Sequence, residues 1–276
     1  MNLVAQGPAM TEADAAALAL VAEAKGFRRA GERAFRFHNV ERSSKIAPWC
    51  AARQVDHAWI PEGRRFADLK LLALDMDSTL ITMETIDELG DCAGRKPEIA
   101  AITAQAMRGE IDYPESLRRR VRLLAGLEAS ALQRVYDQKL HLTPGAETLI
   151  AACKRHGVKL LLVSGGFTFF TDKLKARLGI DYTISNTLEA KDGRLTGKLL
   201  GHLVDADAKA AKFSSVVEEL KAERHETVAI GDGANDLKMM ALAGLSVAFH
   251  AKPVVRAQAS CALAWSGLDG VVNLFE

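Results

Sequence analysis

One stretch, from Lys70 to Glu84 (Lys-Leu-Leu-Ala-Leu-Asp-Met-Asp-Ser-Thr-Leu-Ile-Thr-Met-Glu), constrains this chain more than any other. Leu71 to Leu74 is a short apolar run, the pattern of a strand buried on both faces of a parallel sheet. It runs into two carboxylates, Asp75 and Asp77, with Ser78 and Thr79 just behind. Alternation along an extended chain puts both acids on one side at the strand's carboxyl end, where open α/β sheets bind their ligands. Two acids so close repel one another, so a cation is their natural companion, and an oxygen-only ligand set suits Mg²⁺. A plain strand-end turn uses the same letters, since Asp and Ser favour turns. Context has to decide.

Two later apolar runs end in the same way. Val158 to Val163 leads into Ser164-Gly165-Gly166 and then a helix, an arrangement whose free backbone N–H groups suit an anion. Thr227 to Ile230 leads into Gly231-Asp232-Gly233-Ala234-Asn235-Asp236, two acids among glycines at a third strand end. Ahead of it, Asp207 to Ala222 reads as an amphipathic helix with Lys209 in its first turn, the end where the helix dipole disfavours a cation. A lysine there is ordinarily solvated, but its place before the third motif marks it as a candidate site residue. Tyr182 to Leu200, around Lys191-Asp192-Gly193, reads as a β-hairpin. Leu245 to Phe249 and Cys261 to Trp265 read as further strands, and Leu268 to Phe275 as a closing helix.

Between the first two strand ends the chain is helical. Patterns run from about Glu84 to Cys92, Pro97 to Met107, Pro114 to Leu124 and Ala129 to Lys139, with Gly94, Gly109 and Gly126 near the breaks. Pro144 then stands near the start of a helix reaching His156. Residues 1–66 differ in character. Asn2 to Gln6, Arg33 to Val40 and Val55 to Ile60 read as strands, and Thr11 N-caps a helix reaching about Ala24. This β-α-β-β order is reminiscent of a shortened ACT-type regulatory module. Its ten Lys/Arg against seven Asp/Glu read as a solvated face rather than a binding patch. Pro61 to Arg65 reads as the linker to the larger, C-terminal part of the chain.

Composition excludes several classes. With 49% hydrophobic and 26% charged residues and a formal charge of +1, nothing points to a nucleic-acid partner or an acidic surface. Cys50, Cys92, Cys153 and Cys261 lack CxxC or CxxxH spacing and are expected as buried thiols of a reducing compartment. No apolar run is long enough to span a membrane and the N-terminus shows no basic-then-apolar signal, so the expectation is a cytoplasmic protein without a membrane partner.

Asp-x-Asp-x-Thr after an apolar strand, together with Ser164-Gly165, Lys209 and Gly-Asp-Gly-x-Asn-Asp, resembles the haloacid dehalogenase superfamily of phosphohydrolases over roughly residues 67–276. Leu74 to Leu89 resembles the branch that acts on phosphoserine. The resemblance implies an α/β fold: a Rossmannoid parallel sheet flanked by helices, a four-helix cap at about 83–141 inserted after the first core strand, and a short α+β region at 1–66. It implies Mg²⁺-dependent hydrolysis of O-phospho-L-serine to L-serine and phosphate through an aspartyl-phosphate, the final step of serine biosynthesis. It leaves room for a homodimer.

The resemblance also implies roles at matching positions. Asp75 is the nucleophile and Asp77 the general acid and base. One Mg²⁺ is held by the Asp75 carboxylate, the Asp77 backbone carbonyl and Asp232, with Asp236 behind them holding waters. Ser164, Gly165 and Lys209 bind phosphate. Glu84 takes the substrate ammonium, Arg120 its carboxylate, and Asn235 makes a further contact, with Met107 and Tyr113 lining the pocket. Arg118 and Arg119 read as a solvated face. Met76 and Tyr113 stand where phenylalanine is commoner. Two rivals remain: a related phosphatase acting on a phosphosugar, phosphohomoserine or pyridoxal phosphate, and a non-catalytic serine sensor that keeps the fold. Glu84 with Arg120 argues against a sugar, and retention of Asp75, Asp77, Lys209 and Asp232 together argues against the sensor.

Overall fold

The computed structural model describes residues 1–276. The chain begins with β1 (Asn2–Gln6), α1 (Glu12–Val21), β2 (Gly26–Gly31), β3 (Ala34–His38), α2 (Ile46–Ala51) and β4 (Asp56–Ile60). Thr11 caps α1 through a capping box with Asp14, the local chemistry its sequence promised. The four strands form an antiparallel sheet in the order β2-β3-β1-β4, so the unit is a complete β-α-β-β-α-β and not a shortened one. The added pieces lack periodic signals. β2 is a mostly exposed edge strand with an irregularity between Arg29 and Gly31, and α2 is six residues long, carries Pro48 and has no side-chain cap.

The second sheet starts at β5 (Leu71–Asp75). A cap comes next: α3 (Thr85–Cys92), α4 (Lys96–Met107), α5 (Tyr113–Arg122) and α6 (Ser130–Gln138). The core resumes with α7 (Ala146–His156), β6 (Lys159–Phe167), α8 (Thr168–Leu178), β7 (Tyr182–Lys191), β8 (Arg194–Leu200), α9 (Ala206–Glu219), β9 (Thr227–Gly231), α10 (Leu237–Leu242), β10 (Leu245–Phe249) and β11 (Cys261–Leu263). Strand order is β11-β10-β9-β5-β6-β7-β8, parallel except for the β7-β8 hairpin. β5 lies between β6 and β9, so the chain turns first to one side of it and later to the other. The crevice at such a reversal is where this class of sheet binds ligands.

Every residue of β5, β9 and β10 is buried, because helices cover both faces. Leu72 and Leu74 join the core cluster that includes Leu149, Ile150 and Cys153 of α7. Leu71 and Ala73, pointing the other way, pack with Phe213 and Val216 of α9 and Met239 and Met240 of α10. Three details depart from expectation. β6 runs on through the glycines to Phe167, which pairs with Asn186 of β7 after a register shift, so Gly165 and Gly166 are extended strand and not a helix N-terminus. The last segment, Leu268–Leu274, is a 3-10 helix. Of the cysteines, Cys92 is exposed while the other three are buried. No helix is long and apolar enough to cross a membrane.

The outer face of the N-terminal sheet is docked on the end of the core. Val4, Ala58 and Ile60 belong to the main hydrophobic cluster. Gln6 donates to the Gly270 carbonyl and accepts from Asn273, and the fully buried Arg36 donates to the carbonyls of Asn273 and Phe275. Even the linker is pinned, because Arg64 donates to the carbonyls of Gly244 and His225. The Asp56 carboxylate accepts backbone N–H bonds from Ala264, Trp265 and Ser266 at 2.7, 3.2 and 2.8 Å. Three charge-assisted bonds at a buried site are worth about 3 kcal/mol together once solvation is deducted, so Asp56→Ala is expected to lower Tm by roughly 5–10 °C. Thermal unfolding followed by circular dichroism checks this, and an unchanged Tm would mean that the three Asp56 bonds contribute nothing to stability.

Candidate active site

The chain leaves β5 through a single wide turn, Met76–Leu80, broken at Asp77 (φ −65°, ψ 134°) and Ser78 (φ 56°, ψ 6°). A left-handed serine costs about 1 kcal/mol or more, so something must hold it there. The Ser78 hydroxyl donates to Glu84 Oε1 at 2.7 Å and its N–H to the Met83 carbonyl at 3.2 Å, folding the turn back on the cap entry. Met76 is fully buried in the core, where an apolar side chain of its size is required. Asp77 is gripped by the first residue of α3: Oδ1 accepts the Thr85 N–H at 3.1 Å and Oδ2 the Thr85 hydroxyl at 3.2 Å. Burial first, then the charges of Glu84 and Asp75, push the Asp77 carboxyl well above the usual range. Such a carboxyl is suited to giving up a proton.

Asp75 ends β5 opposite β9, where Gly231 and Asp232 begin their loop. A Cβ on Gly231 would stand 2.5 Å from the Asp236 carboxyl carbon, so that glycine is what lets Asp236 fold back beneath the loop. Lys209 Nζ bridges the two acids, 2.7 Å from Asp75 Oδ1 and 2.8 Å from Asp236 Oδ1. The Gly233 N–H donates to the other Asp236 oxygen at 3.1 Å. Lys209 is fully buried, not solvated. Burial opposes its charge, but the carboxylates of Asp236 and Asp75 outweigh that and raise its pKa.

Carboxylate oxygens of Asp75, Asp232 and Asp236 lie within 4.8 Å of one another; Lys209 pairs with the first and last of them, and the Lys252 charge acts on Asp232. Burial and the neighbouring Asp236 push Asp75 up, and the same two causes push Asp232 up to about 6. Negative charge in surplus, offered by oxygen donors alone, fits a hard divalent cation such as Mg²⁺. Asp236 is nearer to this cluster than its expected place behind the ligands, although both its oxygens are already engaged by Lys209 and Gly233.

A cavity of 690 Å³ opens between the sheet edge and the cap. Asp75, Asp77, Gly165, Asp232 and Asn235 reach it from the core, and Glu84, Met107, Tyr113 and Arg120 from the cap. Ser164, Lys209 and Asp236 stand behind this wall, fully buried. The Ser164 Oγ accepts the Gly166 N–H at 2.8 Å, which leaves its own proton free to donate. Of the three consecutive arginines, Arg118 and Arg119 are exposed and Arg119 pairs with Glu115 at 2.7 Å. Arg120 alone faces the cavity, makes no ion pair and has one hydrogen bond, to the Ser116 carbonyl at 3.4 Å.

Sequence reasoning missed Thr85 and Lys252. Lys252 lines the cavity, and its N–H donates to the Asp232 carbonyl at 3.2 Å. It comes just after β10, a fourth strand end on the same sheet edge, and that adjacency was the signal that could have found it. Thr85 had none, because its bond to Asp77 depends on how α3 leaves the turn.

Comparisons agree with this geometry. The family profile of the haloacid dehalogenase-like hydrolases matches residues 72–241. The phosphoserine phosphatase of Polaromonas sp. is 53% identical over 217 residues, covering 77% of this chain and 92% of that one. That of Vibrio cholerae is 46% identical over 225 residues, 82% of this chain and 68% of that protein. Among solved structures, an unliganded probable phosphoserine phosphatase from Vibrio cholerae superposes with a TM-score of 0.86 at 38% identity, over 99% of this chain and 85% of that one. A substrate-bound phosphoserine phosphatase superposes with a TM-score of 0.71 at 36% identity, over 75% of this chain and 99% of the other. The sheet order, strand-end acids and inserted helical cap agree with that kinship: the chain belongs to the haloacid dehalogenase-like hydrolases, among the relatives of the phosphoserine phosphatases.

Proposed function

We propose that this chain is a phosphatase that hydrolyses O-phospho-L-serine to L-serine and phosphate. One observation carries the reading. A single cavity joins the Asp75–Asp77 pair to an acid, Glu84, and an unpaired Arg120 on the opposite wall. Phosphoserine is a phosphate ester with one ammonium and one carboxylate, and those two residues are the charges that complement it. Relatives of this chain that carry the phosphoserine phosphatase name support the same substrate.

An Asp75 oxygen attacks phosphorus while the bond from phosphorus to the serine oxygen breaks, and Asp77 delivers its proton to that oxygen. Asp77, now ionised, then takes a proton from water. The water oxygen bonds to phosphorus, the bond to Asp75 breaks and phosphate leaves. Lys209 orients the Asp75 carboxylate throughout, and with Ser164 and the Gly165 N–H it balances charge on the phosphoryl oxygens. Asp75, Asp232 and the Asp77 carbonyl would hold Mg²⁺, which would supply positive charge to stabilise the phosphoryl group. Residues 1–66 we take as an ACT-like unit, with the catalytic core from 67 and the cap at about 83–141.

Arg120→Ala tests the substrate. Loss of a charge-assisted contact should lower kcat/KM for phosphoserine roughly 100-fold, equivalent to about 3 kcal/mol. Hydrolysis of p-nitrophenyl phosphate, which has no carboxylate, should change little, and Arg119→Ala should affect neither substrate. Equal losses on both substrates would show that Arg120 supports the cap, and the case for phosphoserine would lose its main support.

A further inference from the structure

Tyr113 lines the cap side of the cavity and carries a hydroxyl at its tip. It is the first residue of α5, a helix capped by the Asp112 carboxylate on the Glu115 N–H at 2.8 Å and stiffened by Pro114. The hydroxyl crosses the cleft and donates to the Gly165 carbonyl at 3.3 Å, joining cap to phosphate loop. That carbonyl is held from the core side as well: Asn186 Nδ2 donates to it at 2.8 Å, while Asn186 Oδ1 accepts the Val204 N–H at 2.9 Å. A Cβ on Gly165 would collide with the phenol oxygen and stand 3.1 Å from Cζ, so the seat exists only because residue 165 has no side chain. Burial pushes the phenol up to about 12, which keeps it a donor at any working pH.

The cap's other links to the core lie elsewhere. At its neck, the Thr82 N–H donates to the His141 carbonyl and the Thr143 N–H to the Leu80 carbonyl. On its flank, the loop after α5 pairs with β8 through Gly126 and Leu195. Thr85 binds Asp77 beside the neck. Across the mouth of the cleft, the bond from Tyr113 to Gly165 is the hydrogen bond that ties the cap to the phosphate loop.

We infer that the Tyr113 hydroxyl is a latch that holds the cap shut over the phosphate loop and must release Gly165 each time a ligand enters or leaves. Its role in turnover rests on the phosphatase reading, but the latch itself belongs to the ligand-free protein. A single neutral hydrogen bond shifts an opening equilibrium about threefold to tenfold. Lids of this kind commonly gate entry and product release.

The test is amide hydrogen exchange on the ligand-free full chain. In Tyr113→Phe, segments 113–117 and 164–167 should exchange about threefold to tenfold faster than in the wild type, with β9 and the N-terminal sheet unchanged. Exchange within twofold of wild type in those segments overturns the latch. A second variant examines the seat, with p-nitrophenyl phosphate as substrate. Gly165→Ala should lose activity through collision with the phenol oxygen, and adding Tyr113→Phe should restore it by about tenfold. No recovery in the double variant would overturn the steric pairing. Failure of the phosphoserine reading looks different: wild-type protein would release no phosphate from phosphoserine, while both results above stood.

Discussion

Asp75→Asn is expected to remove phosphatase activity while leaving the fold in place. The amide keeps the shape of the carboxylate and can still accept the Lys209 bond, which is 2.7 Å long. It cannot supply the anionic oxygen that attacks phosphorus, and it is a poorer ligand for a divalent cation. Loss of the nucleophile should cost roughly 10⁴-fold or more in kcat/KM, about 5.4 kcal/mol on the barrier. Stability should not fall. Asp75 is buried in a cluster with surplus negative charge, and removing one charge relieves repulsion from Asp232 and Asp236. Steady-state phosphate release and a thermal melt of metal-free protein check both halves. Activity above about a tenth of wild type would rule out the covalent route through Asp75.

Lys209→Met should be damaging in a different way. The ammonium is fully buried and is the basic side chain bonded to both Asp75 and Asp236. Breaking a buried ion pair from one side leaves unpaired charge and costs about 3–5 kcal/mol, so Tm should fall by roughly 10 °C. Activity should fall by about 10³-fold, because the Asp75 carboxylate loses its orientation and the phosphoryl oxygens lose a cation. Combining Lys209→Met with Asp236→Asn should recover part of the stability and none of the activity. A melt of the single variant that matches wild type would mean that the carboxylates neutralise by taking up protons, and Lys209 would then have no part in holding the site's charge.

Three features at the heart of this molecule were legible as letters. A buried parallel strand has to be a short apolar run, because both its faces meet helices, and β5, β6 and β9 each announce themselves that way. The residues immediately after such strands fall at the sheet's carboxyl edge, which is why Asp75, Ser164 and Asp232 stood out as candidates, with their roles supplied by the family resemblance. The cap helices were readable from their apolar periodicity and their glycine breaks, to within one or two residues at most ends. The exposed β2 and the short α2 were not, since neither has a buried face long enough to impose a period.

What the sequence by itself determined, then, was the set of strand ends and the acids they carry, because local alternation and helical period dictate which side of an element is buried. Partnership was decided by the tertiary structure. The family register singled out Arg120 from Arg118 and Arg119, but only the structure shows the physical difference, Arg120 turned to the cavity while its neighbours face solvent. Lys209 was singled out by its place ahead of the third motif, but only the structure shows it as the buried bridge between acids 134 and 27 residues away. The same holds for the 52-residue span from Tyr113 to Gly165 and for Asp56 reaching the loop at 264–266. Each of these bonds joins segments whose meeting depends on how whole layers pack, and no periodicity within a single segment encodes that distance.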